Sequence, residues 1–178
     1  MSRFSFSFIR GLSDEMKRAS LPSKIQKESD LEAAVFKIVK DYTKKVLDVD
    51  DAKLKGILFT HGTTKEEKKL WRDSKKDQNI VVFGCSNTSD IFIKSNQLGT
   101  IYIELKFSKK RGNKGASALP GDLQRSIGQS IIASLIHSHV ICLVVCETEI
   151  REKENDHYRK LHNDLRAHKI ELIVRSLN

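Results

Sequence analysis

Asp90, Glu104 and Lys106 have the types and spacing to do metal-assisted chemistry together. Asp90 opens the β-rich run Asp90-Ile91-Phe92-Ile93. Glu104 and Lys106 lie in the run Ile101-Tyr102-Ile103-Glu104-Leu105-Lys106-Phe107. Between the runs stand the polar turn Ser95-Asn96-Gln97 and Gly99, which reads as a hairpin connection. A hairpin centred on Gln97 sets Asp90 directly opposite Glu104, with Cβ atoms about 5 Å apart. Two carboxylates that close repel one another unless a positive charge lies between them, and a divalent cation supplies it. Period-two alternation gives an apolar face of Ile91, Ile93, Ile101, Ile103, Leu105 and Phe107. The other face carries Asp90, Phe92, Lys94, Tyr102, Glu104 and Lys106. Two carboxylates and a backbone carbonyl, for which that of Leu105 is the candidate, suit Mg²⁺, with Mn²⁺ as a substitute. Lys106 then stands where it can orient an attacking water or neutralise developing charge, which is the chemistry of phosphodiester hydrolysis. A one-residue slip in register would turn Asp90 into the core and dissolve the arrangement. The competing expectation is a surface hairpin whose acids pair with lysines.

Asp90 ahead of an apolar strand, with Glu104-Leu105-Lys106 closing the next, resembles the D…ExK core of the PD-(D/E)XK, or restriction-endonuclease-like, nuclease superfamily. The resemblance spans about residues 30–174, with the motif itself confined to residues 90–106. It implies an α/β fold with an αβββαβ core, a mixed central sheet flanked by helices, and a metal-dependent nuclease, most simply a DNA endonuclease. Ser89 stands where the family name has a proline. Arg125-Ser126-Ile127-Gly128-Gln129 resembles the glutamine-bearing helix that several branches place beside the metal, which makes Gln129 a candidate catalytic residue and Gln124 its competitor. Glu32 is a candidate further metal ligand by the same resemblance, and equally a capping-box glutamate behind Ser29. A non-catalytic or partner-dependent nucleic-acid-binding module on the same fold is the alternative of a different class.

The elements that must position these residues follow from periodicity. Leu31, Val35, Ile38, Val39, Tyr42 and Val46 recur at helical spacing, starting at Ser29 or, by the same capping rule, at Ser23. Residues 1–22 show no sustained period and end in Leu21-Pro22, so they read as an irregular arm, in which Phe4, Phe6 and Phe8 pack. The charged stretch 61–79 reads as an exposed helix or insertion anchored by Trp71. Ile80 to Phe83, Asp90 to Ile93 and Ile101 to Phe107 are expected as three strands. A helix from about Gly121 to His137 is expected to pack Leu123, Ile127, Ile131 and Leu135 on the sheet, with Ile132 and Ile136 beside them. The continuous apolar run Val140 to Cys146 reads as a strand buried on both faces. A helix from Glu154 to His168 and a strand from Glu171 to Val174 close the order, and residues 23–178 read as a single domain.

Lys and Arg number 32 against 23 Asp and Glu, a formal net charge of +9, which suits a polyanionic partner such as DNA. Lys109, Lys110, Arg111 and Lys114, in the loop just past Lys106, and Arg125 are the candidate phosphate contacts. Cutting both strands of a duplex requires two sites, so a homodimer is an expectation of that reading. Three cysteines with no zinc spacing fit a reducing compartment, and no signal-peptide core or membrane-length apolar run appears. A cytoplasmic protein without a membrane partner is the expectation. His157, His162 and His168 show no metal pattern and are expected at the surface, and there is no phosphate-binding Gly-rich loop.

Overall fold

The computed structural model describes residues 3–62, 64–78, 80–82, 85–111, 116–117 and 119–177. In chain order the elements are α1 (Arg3–Arg18), α2 (Glu28–Leu47), α3 (Asp51–Leu54), β1 (Leu58–Thr60), α4 (Lys65–Gln78), β2 (Ile80–Val82), β3 (Cys85–Asn87) and β4 (Ile91–Ser95). There follow β5 (Gly99–Ser108), β6 (Lys110–Arg111), β7 (Ala116–Ser117), α5 (Leu119–Ser134), β8 (His139–Cys146), α6 (Glu152–Arg166) and β9 (Ile170–Ser176). One mixed sheet in the order β1-β4-β5-β8-β9 forms the centre. β1, β4 and β5 run antiparallel, whereas β5, β8 and β9 are parallel and need the crossover helices α5 and α6.

Alternation sorts the sheet between two helical layers. Ile91, Ile93, Ile101, Ile103, Leu105 and Phe107 share one core with Leu12 and Met16 of α1 and Leu31, Val35 and Val39 of α2. Tyr102, Val140, Cys142 and Val144 share the other with Leu119 and Leu123 of α5 and Leu165 of α6. Every residue of β8 is buried, as its unbroken apolar run requires. The β4–β5 register pairs Ile91 with Ile103 and Ser95 with Gly99, so the hairpin is centred on Gln97 as the turn composition predicts. Gly99 takes φ +73°, and a Cβ there would collide with the Ser138 hydroxyl, so only glycine closes this hairpin against the start of β8.

Four expectations are corrected. Much of the expected arm is helix: Phe8, Ile9, Leu12 and Met16 bury at helical spacing, and Ser5 and Ser13, buried on the same face, dilute the apolar pattern in the sequence. Phe8 meets Tyr42 edge-on at 5.2 Å, while Phe4 and Phe6 stay exposed. The outermost strand beside β4 is β1, too short for a period to show. Ile80–Val82 instead folds back on Cys85–Asn87 as a separate hairpin, because the run reverses too soon to reach the sheet. Finally, α5 turns a small-residue face to the sheet. Leu123, Ser126, Ser130 and Ala133 are buried and allow close approach to β8, leaving Ile131, Leu135 and Ile136 exposed, Leu135 at 80%.

At the second helix the cap is neither Ser29 nor Ser23. The N-cap is Lys27, and the Asp30 carboxylate accepts from the backbone N–H groups of Gln26 (3.0 Å) and Lys27 (3.2 Å). Glu32 is thereby one turn inside the helix and free of capping duty. The charged stretch forms α4, which lies against β1 and buries Trp71, Ser74 and Gln78, so the Trp71 anchor is present.

Candidate active site

Asp90 sits where β4 begins. Its N–H donates to the Ile103 carbonyl at 3.0 Å, the last rung of the hairpin, and its Oδ2 accepts from the Leu105 N–H at 2.7 Å. The side chain thus occupies the position the next β4 residue would fill, and β5 continues past it. A residue in a strand points its N–H and C=O to the same edge. The Leu105 carbonyl therefore faces the edge where β4 has ended, on the side of the Asp90 carboxylate.

The residue pairs of the ladder end at Ile91 with Ile103, and Glu104, the next residue of β5, is buried. The buried Tyr102 hydroxyl, two residues earlier on the same face, donates to Glu104 Oε2 at 3.3 Å. Tyr102 is in turn stacked on His137 at 5.4 Å, and His137 meets Phe92 edge-on at 5.5 Å, so an aromatic platform fixes the floor beneath Glu104. Lys106 Nζ is 2.7 Å from Glu28 Oε2, at the start of α2. Glu28 lies one i,i+4 step from Glu32, so the first two turns of α2 present two acids on one face near the strand end. Glu32 accepts from the Thr60 hydroxyl and from His61, whose Nδ1 is 3.3 Å away. The His61 ring packs on Trp71 at 4.3 Å.

The electrostatics are those of a crowded acidic site. Burial pushes the Asp90 carboxyl up to about 7, with the charges of Glu32 and Glu28 adding to the rise against the Leu105 N–H and His61. Burial and the Asp90 charge push Glu104 up to about 8, opposed by the Tyr102 hydrogen bond and Lys106. At Glu32 burial also pushes upward, but the bonds from His61 and Thr60 prevail and hold it below the ordinary carboxylate range. His61 is raised by its bond to Glu32. Tyr102 is raised by burial and by its acidic neighbours, so its proton stays in place to hold Glu104.

No protein-family model, curated protein or solved structure matches the chain. The site must therefore be judged on its own geometry.

Of the residues expected at the site, Asp90, Glu104 and Lys106 come together and the Leu105 carbonyl edge faces them. Glu32 is linked to them through His61. α5 packs against β5 and β8, in the layer that covers Tyr102; Gln129 is half-buried on it, whereas Gln124 and Arg125 are exposed. Lys109 is exposed at the end of β5. Lys110 and Arg111 form β6 in a small hairpin with β7, their side chains lie outside the described residues, and so does Lys114 altogether. Glu28 and His61 were not expected. The i,i+4 acid pair at the start of an amphipathic helix was the available signal for Glu28, and nothing in the sequence marks His61. His162 is not simply exposed: its Nε2 pairs with Glu171 at 2.7 Å, and Arg166 shares that carboxylate at 3.1 Å.

Among the described residues no group of three or more His, Cys, Asp and Glu side chains is close enough to form a metal cage. The donor chemistry nonetheless fits a hard cation of the Mg²⁺ type, which is held by one or two carboxylates and keeps its waters and substrate oxygens as the remaining ligands. Asp90, Glu104 and the Leu105 carbonyl offer donors of that kind. Among the described residues no helix is long and apolar enough to cross a membrane.

Proposed function

We propose that this chain is a divalent-metal-dependent nuclease of the PD-(D/E)XK type that hydrolyses phosphodiester bonds in DNA. The observation that carries the reading is the end of the β4–β5 ladder, where the Asp90 carboxylate accepts from the Leu105 N–H, between Glu104 and Lys106. The five-strand mixed sheet between helices is compatible with a restriction-endonuclease-like core, with β1 in place of the strand expected at Ile80.

Asp90 and Glu104, with the Leu105 carbonyl, would hold the cation. When bound, such an ion neutralises phosphate charge and polarises the scissile group. The chain's own residues supply the rest. The Leu105 N–H fixes the Asp90 carboxylate, and Tyr102 fixes Glu104, so neither ligand has to reorganise when substrate arrives. Lys106 is held by Glu28 in the free protein, which keeps its ammonium at the site until a phosphate competes for it. Its charge then offsets the negative charge that develops as the P–O bond breaks.

The test is cleavage of plasmid and linear DNA with Mg²⁺, Mn²⁺ or EDTA. Asp90→Asn, Glu104→Gln and Lys106→Met are each expected to lower the rate by at least about a hundredfold, and EDTA to abolish it. Cutting that survives these substitutions overturns the site. A second reading, a nucleic-acid-binding module that cuts only with a partner or not at all, is favoured by the engagement of Lys106 with Glu28. Its signature is salt-dependent DNA binding without metal-dependent cleavage.

A further inference from the structure

Helix α4 sorts its charges by face. At 3.6 residues per turn, Lys65, Lys68, Lys69, Arg72, Lys75 and Lys76 fall within an arc of about 120°. Glu66, Asp73 and Asp77 fall on a separate arc of about 40°, and Trp71, Ser74 and Gln78 on the buried side between the two. The acidic flank is met by the rest of the molecule: Glu66 pairs with Lys55 at 2.9 Å and Asp77 with Lys94 at 2.9 Å. All six cations are exposed, and among the described residues none of them makes an ion pair. Six like charges on one face repel one another and bring no stability to the fold, so the arrangement asks for an external polyanion.

The cationic face also points somewhere. The charge of Lys75 acts on His61, His61 packs on Trp71 of the same helix, and the charge of His61 acts on Asp90. The six cations span about 16 Å of helix axis, close to the rise of five base pairs.

We propose that this face of α4 grips the phosphate backbone of duplex DNA and leads it past His61 to Asp90 and Glu104. The second half of that statement rests on the nuclease reading, while the grip itself does not. A duplex is favoured over a single strand because α4 offers no exposed aromatic ring for base stacking; its one aromatic, Trp71, is buried. It is favoured over a lipid surface because α4 has only two large apolar residues, the buried Trp71 and the half-buried Leu70, and neither lies on the cationic arc, which leaves no apolar face beside it to enter a bilayer.

The experiment measures binding of the full chain to a labelled DNA duplex in EDTA, where no cutting occurs, as a function of salt. Compared are the wild type, K68Q/R72Q/K75Q, and a control, K37Q/K45Q/K53Q, that removes the same charge from exposed positions on α2 and α3. Each lost phosphate contact lowers the slope of log affinity against log salt by about 0.9. Between 50 and 200 mM salt, affinity should therefore fall about fortyfold more steeply for the wild type than for the α4 variant, with the control following the wild type. Equal losses in both variants would mean that net charge alone attracts DNA, and would overturn the proposal. So would unchanged binding in the α4 variant, no duplex binding by the wild type, or preference for anionic phosphatidylserine vesicles over duplex. K69Q/K76Q, on the same face, repeats the test should the triple variant melt early. Because binding is read without metal, loss of the α4 grip and failure of the nuclease reading give separate results.

Discussion

Asp90 and Glu104 enter the fold against their own preference, since burial favours the neutral form of each and both folded pKa values lie well above those of free carboxyls. The folded chain accordingly holds protons that the unfolded chain has already released between about pH 4 and pH 8. This contribution to stability is complete below the unfolded pKa values and is lost as pH rises through about 7 and 8. Without divalent metal, the Tm is expected to fall between about pH 5 and pH 8.5, and Asp90→Asn to flatten that fall. Mg²⁺ binds the deprotonated carboxylates, so it should raise the Tm more at pH 8 than at pH 6. A melting series by circular dichroism decides the matter: a wild-type Tm indifferent to pH and to Mg²⁺ would remove the basis for a shared cation site. At this scale the turn was legible, because its polar residues and Gly99 centre the β4–β5 register on Gln97. Glu28 and His61 escaped notice because their relation to Asp90 depends on how α2 and β1 pack, which no local spacing encodes.

The element that aims Asp90 is α4, through a buried chain of hydrogen bonds. Ser89 Oγ donates to Gln78 Oε1 at 2.7 Å, Gln78 Nε2 to Ser74 Oγ at 2.9 Å, and Ser74 Oγ to the Trp71 carbonyl at 2.8 Å. The His137 Nε2–H donates to the Gln78 carbonyl at 3.4 Å and closes the same cluster beside Tyr102. Gln78→Ala leaves the buried Ser89 hydroxyl without its acceptor and takes one donor from Ser74, which keeps its bond to the Trp71 carbonyl, at an expected cost of about 1–3 kcal/mol in urea unfolding. Adding Ser89→Ala should recover part of that loss, since two missing partners cost less than one orphaned group. Strict additivity of the two substitutions would show that the link does not exist. Element identity was legible where apolar runs were long, as in α2, β5 and β8. It was not legible in β1, three residues long, nor in the rotation of α5. There the apolar count favours Ile131 and Leu135, but the face turned inward buries Leu123, Ser126, Ser130 and Ala133, with Ile127 and Ile132 partly buried beside them.

At the scale of the whole molecule, the two ends of the chain are tied together. Arg175, in the last strand, donates through Nη1 to the carbonyls of Met16 (3.0 Å), Lys17 (3.0 Å) and Ala19 (2.8 Å) at the end of α1. Those carbonyls have no partner within the helix and carry its negative dipole end, so a guanidinium satisfies several acceptors and a charge at once. The clamp explains why α1 belongs to the domain although its sequence reads as an arm: Leu12 and Met16 seal the sheet face that holds Ile103 and Leu105, directly behind the candidate site. Arg175→Met should keep the stem's packing and lose the hydrogen bonds, lowering stability by about 1–3 kcal/mol. Arg175→Lys should recover only part, because one ammonium lacks the planar fork that meets spaced carbonyls. If α1 is integral to the core, hydrogen exchange in Arg175→Met will quicken at α1 and also in β5, which carries Glu104. Quickening confined to α1 would show instead that the helix frays independently of the sheet.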